Sequence, residues 1–434
     1  MGKKVLIVGG VAGGASVAAR VRRLDESAEI VMFERGPYVS FSNCCIPFHI
    51  SGDIEKSESL VLMTPPEFDK QYNIDARVYN EVVAINKEEK TVSVKNVQTG
   101  ETYEEAYDVL FLAPGANAVR PRSIAGIDSK HVFVMKTVPD VAALTAYTKA
   151  NEVKDVAVVG GGYIGLEVAE NLKMAGYNVS LIEAQDQIMA PLDYDMVQII
   201  NREIMKNGVD LILKDSVQAI GSDEVTLASG RTVKAQAVVM AIGVSPENAL
   251  AKQAGLELGV AGSIKVNHHY QTSNPHIYAV GDAIETTCFF TGQKTQLTLA
   301  GPAQRQARAA ADHVYGRTYL NTGVIGSSSV KMFGLNSANT GLNEKQCQAR
   351  GIAYDFAYII PKDKVSIMPG AENLFFKLIF AVPSGKILGA QAVGRGNVDK
   401  RIDVIATAIM LNANLEDLKE LELTYSPHFS TAKD

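Results

Sequence analysis

The sequence predicts an α/β fold made of two Rossmann-type nucleotide-binding domains and a third, C-terminal α/β domain. Two glycine-rich turns carry this prediction, one over residues 9–14 and one over residues 160–165. Each turn follows a short apolar strand and precedes a helix, and the next strand ends at an acid, Glu34 or Glu183. From about Thr322 the pattern changes to strands mixed with helices, which indicates a separate domain.

The first turn predicts a dinucleotide site. A strand over residues 3–8 leads into the glycines, a helix over residues 15–24 follows, and a strand over residues 30–33 ends at Glu34. N–H groups of such a turn bind a pyrophosphate, and the acid binds a ribose hydroxyl. Val11 replaces the central glycine of the G-x-G-x-x-G pattern, so the alternative, that the glycines only permit close helix–strand packing, stays open. The residues assigned to this cofactor are Gly9, Gly13, Gly14 and Glu34.

The second turn matches the dinucleotide pattern fully. A strand over residues 156–159 precedes it, and a helix over residues 167–175 and a strand over residues 178–182 follow it. Two such sites in one chain suggest an electron relay between two cofactors. The residues assigned to the second cofactor are Gly160, Gly162, Tyr163, Gly165, Glu167 and Glu183.

Three further buried strands end in residues that suit a bound cofactor. The last of them, over residues 277–280, ends in Gly-Asp, and the Asp282 carboxylate there can bind the polyol of a flavin. The alternative is a strand followed by an ordinary turn, to which Gly-Asp is well suited. The residues assigned from these strand ends are Ala113, Gly115, Gly243 and Asp282.

The segment Ser-Phe-Ser-Asn-Cys-Cys-Ile-Pro over residues 40–47 is the candidate reactive site. Asn43 suits a helix N-cap and Pro47 a first helical turn, so we expect a helix to begin at the cysteines. A thiolate at a helix N-terminus is stabilised by unpaired N–H groups and by the helix dipole, which predicts a lowered pKa for Cys44. The alternative is an inert thiol in the core.

Composition excludes several classes of protein. The 434 residues carry a net charge of −6, which provides no basic surface for nucleic acid. Four cysteines in a chain of this length do not make a disulfide framework, so we expect the protein in the cytoplasm. No apolar run approaches the length of a membrane span, and we assign no metal site. We therefore expect a small-molecule substrate, with no nucleic-acid or membrane partner.

The order of these motifs resembles that of the flavoprotein disulfide reductases over essentially the whole chain. The match is closest to the single-cysteine branch, the coenzyme A disulfide reductases and NADH-dependent persulfide reductases. Residues 40–44 and the C-terminal Tyr-Ser-Pro-His-Phe-Ser over residues 425–430 are similar to signatures of that branch. Glutathione reductase and thioredoxin reductase each have a second redox cysteine at a characteristic distance from the first, and this chain has a cysteine at neither distance. The resemblance implies that Cys44 is the redox cysteine.

The resemblance also implies a glutathione reductase-like organisation. An FAD-binding domain would comprise residues 1–115 and 245–320, an NAD(P)H-binding domain residues 116–244, and a dimerisation domain residues 321–434. We expect FAD as the resident cofactor, NADH as the electron donor with NADPH left open, and coenzyme A disulfide as the first candidate substrate. The active unit would be a homodimer.

Roles for further residues follow from the same resemblance. Cys44 would form a mixed disulfide with the substrate, and the partner subunit's Tyr425 would donate a proton to the leaving thiol. The ring of Tyr163 would swing aside as a gate for the nicotinamide. The residues assigned to substrate binding are Arg20, Arg23, Ser40 and Asn43. The two arginines would bind coenzyme A phosphates, although arginine on a helix is more often simply solvated.

The chain departs from the branch at three places. Its usual Tyr-Tyr-Pro-Gly segment is Ile-Met-Pro-Gly over residues 367–370, and His428 stands where relatives commonly have proline. We therefore hypothesise that His428 shares proton donation with Tyr425, because an imidazole donates a proton near neutral pH more readily than a phenol. The alternative is a solvated histidine. Cys45 stands where the branch has a small residue, and we interpret it as a packing residue.

Two other functions compete with disulfide reduction. The first is an NADH oxidase that reduces oxygen through a Cys44 sulfenic acid. Peroxidase members of that branch have a histidine where this chain has Ala12, which argues against peroxide chemistry. The second is a flavin-dependent redox sensor without turnover, which the two intact cofactor motifs disfavour.

Overall fold

The computed structural model describes residues 2–318 and 320–433 of the chain. Its strands are β1 (Lys4–Val8), β2 (Glu29–Glu34), β3 (Asp75–Val78), β4 (Asn80–Asn86), β5 (Thr91–Asn96), β6 (Thr102–Ala106), β7 (Val109–Leu112), β8 (Ala116–Ala118), β9 (Val132–Val134), β10 (Asp155–Val159), β11 (Asn178–Glu183), β12 (Asp210–Leu213), β13 (Val217–Ile220), β14 (Glu224–Leu227), β15 (Thr232–Lys234), β16 (Ala237–Met240), β17 (Val244–Pro246), β18 (Ile277–Ala279), β19 (Thr286–Thr287), β20 (Lys294–Thr295), β21 (Ser328–Met332), β22 (Leu335–Gly341), β23 (Tyr354–Ile359), β24 (Leu374–Ala381) and β25 (Ile387–Gly394).

Helices connect these strands. They are α1 (Ala12–Leu24), α2 (Phe48–Ser51), α3 (Pro65–Tyr72), α4 (Val138–Ala150), α5 (Tyr163–Met174), α6 (Tyr194–Lys206), α7 (Ala249–Gln253), α8 (Ala300–Val314), α9 (Glu344–Ala349), α10 (Val398–Met410) and α11 (Leu415–Lys419). Among the helices of the described residues, none has both the length and the apolar character that a membrane crossing needs.

The first glycine turn belongs to a five-stranded parallel sheet in the order β18-β7-β1-β2-β3. Strand β7 lies between β1 and β18, and all of its side chains are buried. Continuous apolar strands of this kind are typical of parallel sheets that are covered on both faces. Because β18 joins this sheet beside β7, the chain leaves the sheet after residue 112 and returns to it at residue 277.

The second glycine turn belongs to a parallel sheet in the order β12-β11-β10-β16-β9. This sheet repeats the β-α-β arrangement of the first, with α5 as the crossover helix between β10 and β11. Strand β16 is fully buried, as β7 is in the first sheet. The chain therefore contains two nucleotide-binding units with the same β-α-β arrangement.

The C-terminal region forms an antiparallel sheet in the order β21-β22-β25-β24-β23, with α10 packed on β22 and β25. The amphipathic pattern predicted over residues 400–411 lies in α10, and the predicted antiparallel segment over residues 78–97 forms β4 and β5. The predicted fold class, two Rossmann-type units followed by a C-terminal α/β domain, is confirmed.

A buried lysine joins the second nucleotide-binding unit to the C-terminal sheet. Lys377 of β24 has a side chain that is 1% exposed, and its Nζ lies 3.2 Å from Asp193 and 3.0 Å from Asp195, at the start of α6. It also pairs with Glu344 of α9, and the ring of Phe356 lies 4.4 Å away. Burial alone would lower the pKa of Lys377, but hydrogen bonds to Glu344 and Asp195 outweigh it and raise that pKa. The lysine therefore stays charged.

We expect Lys377→Met to destabilise the protein strongly, because the substitution leaves the buried Asp193 carboxylate without its cation. Breaking a buried ion pair on one side costs about 3 kcal/mol or more. The midpoint of urea unfolding, followed by circular dichroism, measures the loss. Lys265→Met is the matched control, since Lys265 pairs with Glu257 on the surface and its loss should not change the unfolding midpoint measurably. Equal midpoints for the two variants would contradict the expected role of Lys377.

Candidate active site

A cleft of about 1260 Å³ runs between the two parallel sheets, and both glycine turns line it. Cys44 lines the same cleft, together with Tyr163, Glu167 and Asp282. The carboxyl ends of parallel strands meet at one edge of a sheet, which is where open α/β folds bind ligands. The sequence-predicted cofactor residues and the candidate thiol therefore share one cavity.

Each glycine turn is held by the acid that ends the neighbouring strand. The Glu34 carboxylate accepts the N–H of Gly10 at 3.1 Å with one oxygen and that of Gly36 at 2.8 Å with the other. The Glu183 carboxylate likewise accepts the N–H of Gly161 at 2.7 Å. A carboxylate oxygen has a second lone pair, so both acids remain able to accept a ribose hydroxyl.

The glycines divide into two groups. Gly9 and Gly160 have φ of 96° and 110°, a backbone conformation that favours glycine, and both line the cleft. A side chain on Gly14 or Gly165 would clash with the carbonyl oxygen of Gly9 or Gly160, and neither Gly14 nor Gly165 lines the cleft. Close packing therefore accounts for the last glycine of each turn. The first glycines, with Gly13 and Gly162, face the cavity, as a dinucleotide cradle requires.

The residues at the first turn fit a flavin dinucleotide. Ala113 and Gly115, which follow β7, and Gly243, which follows β16, line the cleft with the turn. Asp282 follows β18 at the same edge, and its carboxylate lies 3.5 Å from the ammonium of Lys136. A carboxylate held at this edge suits a polyol chain. The predicted roles of these residues stay predictions.

The segment around Cys44 differs from the prediction. Asn43–Cys45 form a single 3₁₀ turn, and the helix α2 begins only at Phe48. The predicted N-cap role of Asn43 is wrong, because its side-chain amide donates to the carbonyl of Lys136 at 3.0 Å. This hydrogen bond ties the cysteine turn to the start of α4 instead. Cys44 itself is exposed to the cleft, while Cys45 packs against the core.

The predicted lowering of the Cys44 pKa is also wrong. Burial raises the pKa of the Cys44 thiol, and the negative charges of Glu167, Cys45 and Asp282 raise it further. Lys136 opposes them with its positive charge. A single 3₁₀ turn offers few aligned N–H groups, so it lacks the dipole of a longer helix. The ionisation of Cys44 therefore depends first on its burial and then on the charges around it.

The second turn brings two ionisable side chains to the cleft. Burial, followed by repulsion from Glu170, raises the pKa of Glu167 to about 7. Tyr163 begins α5, and its hydroxyl is hydrogen-bonded to Ser328 of β21 and donates to Asn339 of β22 at 2.9 Å. The Tyr163 ring is therefore held by the C-terminal sheet.

Several predicted site residues lie outside this cavity. Arg20 is ion-paired with Asp312 of α8, its Nε lying 2.9 Å from Oδ1, and Arg23 is exposed to solvent. Ser40 donates its backbone N–H to the Gly10 carbonyl at 2.8 Å and does not line the cleft. Tyr425 is 53% exposed on the C-terminal segment, and His428 is exposed beside it. Their predicted roles in substrate binding and proton donation stay predictions.

Sequence reasoning missed the groups that act on the site from other domains. Lys136 stands directly before Thr137 and Asp140, which form a capping box at the start of α4. A Thr-x-x-Asp signal marks a helix start, so a lysine just ahead of it could have been placed at a strand end. Ser328 and Asn339 gave no such signal, because only the fold brings them to Tyr163.

Comparison with known proteins agrees over nearly the whole chain. Residues 3–307 match the family pattern of pyridine nucleotide-disulphide oxidoreductases, and residues 327–434 match the dimerisation domain of that family. The coenzyme A disulfide reductase of Staphylococcus epidermidis is 35% identical over 432 residues, which cover 99% of this chain and 97% of that protein.

Two solved structures are similar as well. Reduced CoADR-RHD of Bacillus anthracis is 48% identical with a TM-score of 0.98, over 100% of this chain and 78% of that one. A NAD-dependent persulfide reductase from A. fulgidus is 32% identical with a TM-score of 0.96, over 99% of this chain and 81% of that one. The resemblance inferred from the motifs is confirmed, and the chain belongs to the pyridine nucleotide-disulphide oxidoreductase family.

Proposed function

We propose that the protein uses FAD to reduce a low-molecular-weight disulfide or persulfide with NADH, through the single redox cysteine Cys44. The observation that carries this proposal is the shared cleft, in which the thiol lies with both glycine turns. The relatives are named for coenzyme A disulfide and for persulfide, so coenzyme A disulfide is the first substrate to test. Turnover under nitrogen with thiol release supports reduction, whereas activity that needs oxygen indicates the oxidase.

The chain's own residues account for the sulfur chemistry. The Cys44 thiolate attacks one sulfur of the substrate disulfide, which releases the first thiol and leaves a mixed disulfide on Cys44. Bound FAD and NADH would supply the electron pair that cleaves this mixed disulfide. Lys136 faces the thiolate with a positive charge. The Tyr163 ring would have to release Ser328 and Asn339 before it could move aside for a nicotinamide. The second thiol leaves with a proton, which requires a donor near Cys44.

A homodimer would complete the site. The edge strand β23 and the segment after it expose apolar side chains, as does the C-terminal segment that carries Tyr425. The exposed apolar residues are Phe356, Tyr358, Ile359, Ile360, Leu421, Leu423 and Phe429. A second copy that covers this surface would bring its own Tyr425 and His428 to Cys44. The free state of all four cysteines supports a reducing compartment, and we place the enzyme in the cytoplasm.

NADH should be preferred over NADPH, because the Glu183 carboxylate repels a 2′-phosphate and accepts a hydrogen bond from a free 2′-hydroxyl. Glu183→Gln keeps an acceptor for the Gly161 N–H and removes the charge. We expect the ratio of kcat/KM for NADH over NADPH to fall about tenfold, the equivalent of about 1.4 kcal/mol. Asp186→Asn, three residues further at an exposed site, should leave the ratio unchanged. A wild-type enzyme that prefers NADPH would refute the assignment.

Cys44→Ser should abolish disulfide turnover, by about three orders of magnitude or more, because the nucleophile is lost. NADH should still bleach the flavin of this variant, since neither glycine turn is altered. Cys45→Ser is the matched control and should retain turnover, because Cys45 packs against the core. Anaerobic assays of thiol release and of flavin absorbance measure the two effects. If Cys45→Ser abolished turnover while Cys44→Ser retained it, the nucleophile would be Cys45 and our assignment would be wrong.

His428→Ala should lower kcat mainly on the acid side of neutrality if His428 shares proton donation with Tyr425, because an imidazole carries the proton that it would donate only there. Tyr425→Phe should lower kcat more evenly across pH, because a phenol keeps its proton throughout the neutral range. The measurement is kcat against pH for both variants and the wild type. If His428→Ala leaves both the rate and its pH profile unchanged, Tyr425 acts alone.

A further inference from the structure

Two side chains of the C-terminal sheet reach across to the ring that stands beside the second glycine turn. Tyr163 is the first residue of α5, directly after that turn, and it lines the cleft. Its hydroxyl lies 2.9 Å from Asn339 Oδ1 and is also hydrogen-bonded to Ser328. The Ser328 hydroxyl lies 3.1 Å from the same Asn339 oxygen, so the three side chains form a closed triangle. We call this triangle the latch.

The strands that carry the latch are fixed by their neighbours. Ser328 of β21 lies opposite Asn339 of β22, and Asn339 lies opposite Gln391 of β25. Gln391 in turn lies opposite Lys377 of β24, and residues opposite each other in a sheet point to the same face. The Gln391 amide accepts the Asp193 N–H and donates to its carboxylate, both at 2.7 Å, and Asp193 pairs with Lys377. The latch therefore continues a polar row that crosses four strands.

Release of the ring is costly because the acceptor is buried. Asn339 is 5% exposed, so water replaces the Tyr163 hydroxyl there only in part. The ring also packs against the apolar core of the second nucleotide-binding unit. Both contacts favour the position in which the ring lies in the cleft, which we call the closed position.

Ser337 shows that a buried hydroxyl on this sheet does not by itself form a latch. It lies two residues before Asn339 on β22, so its side chain points to the same face, and it is 4% exposed. Within residues 2–318 and 320–433, its hydroxyl has no hydrogen-bond partner. Ser337 therefore shares the strand, the face and the burial of Asn339 but does not contact the ring of Tyr163.

We propose that Ser328 and Asn339 are positioning residues that hold Tyr163 closed and thereby set the affinity of the second glycine turn for NAD(H). The proposal rests on the function assigned above, in which this turn binds NADH and the ring must move aside for the nicotinamide. A ligand that binds only the open position binds more weakly in proportion to the fraction of molecules that are open. The latch lowers that fraction, so the C-terminal domain controls dinucleotide binding in another domain.

The test titrates NAD+ into the oxidised holoenzyme and measures Kd by calorimetry. Tyr163→Phe keeps the ring and removes its hydroxyl, while Asn339→Ala removes the acceptor. We expect either variant to bind NAD+ about fivefold more tightly than the wild type, because a hydrogen bond no longer favours the closed position. The double variant should bind no more tightly than either single variant, because both changes remove the same contact.

A second measurement needs no dinucleotide. Hydroxyl-radical labelling followed by mass spectrometry reports how exposed the ring of Tyr163 is. We expect faster labelling of this ring in Asn339→Ala than in the wild type, because the ring leaves the closed position more often. Ser337→Ala is the matched control and should keep the wild-type Kd and the wild-type labelling rate.

Unchanged or weaker NAD+ binding in Tyr163→Phe would overturn the proposal, because it would indicate a structural role or a direct contact with the ligand. Additive effects in the double variant would also overturn it. If Asn339→Ala does not fold, Ser328→Ala removes the other partner and takes its place in both measurements. Failure of the proposed function reads out separately, as a wild-type holoenzyme that binds no NAD+, and the labelling rates then decide on the latch alone.

Discussion

A carboxylate holds a backbone N–H at each glycine turn, and the rest of the site depends on this clamp. Glu34 holds Gly10 and Glu183 holds Gly161, in the same relation to strand and helix. Glycine has many accessible conformations, so a turn built from it needs an outside contact to keep one of them. The clamp uses the acid that we propose to bind the ribose. On that proposal, turn geometry and nucleotide recognition depend on the same side chain.

The second nucleotide-binding unit has a polar connection to the C-terminal domain beside the apolar core that they share. Lys377 provides that connection, because its ammonium is shared by carboxylates on α6 and on α9. An ion pair of this kind has little net stability to offer against its desolvation cost. The cluster nevertheless requires a strict geometry, because each carboxylate must lie beside the same buried Lys377 ammonium. The cluster therefore specifies how the second nucleotide-binding unit sits against the C-terminal sheet.

Sequence motifs predicted the features that are formed by residues close together in the chain. The glycine turns, their acids and the strand ends follow from chain-neighbour chemistry, so the fold class and the composition of the cleft could be inferred from sequence. The prediction that Asn43 is an N-cap was wrong because its side-chain amide donates to the carbonyl of Lys136, which is 93 residues away in the chain. The predicted direction of the Cys44 pKa shift was wrong for the same reason, since Glu167 and Asp282 come near the thiol only in the folded chain. Sequence motifs identify a reactive group, whereas its ionisation depends on tertiary neighbours.

The hydroxyl of Tyr163 is bound to β21 and β22, at one edge of the C-terminal sheet, while the exposed apolar strand β23 forms the other edge. The strands between them are hydrogen-bonded throughout, so the sheet behaves as a stiff plate roughly 20 Å across. The ring cannot leave the cleft without breaking its hold on that plate. A second copy that covered β23 would therefore contact the same sheet that holds the Tyr163 ring.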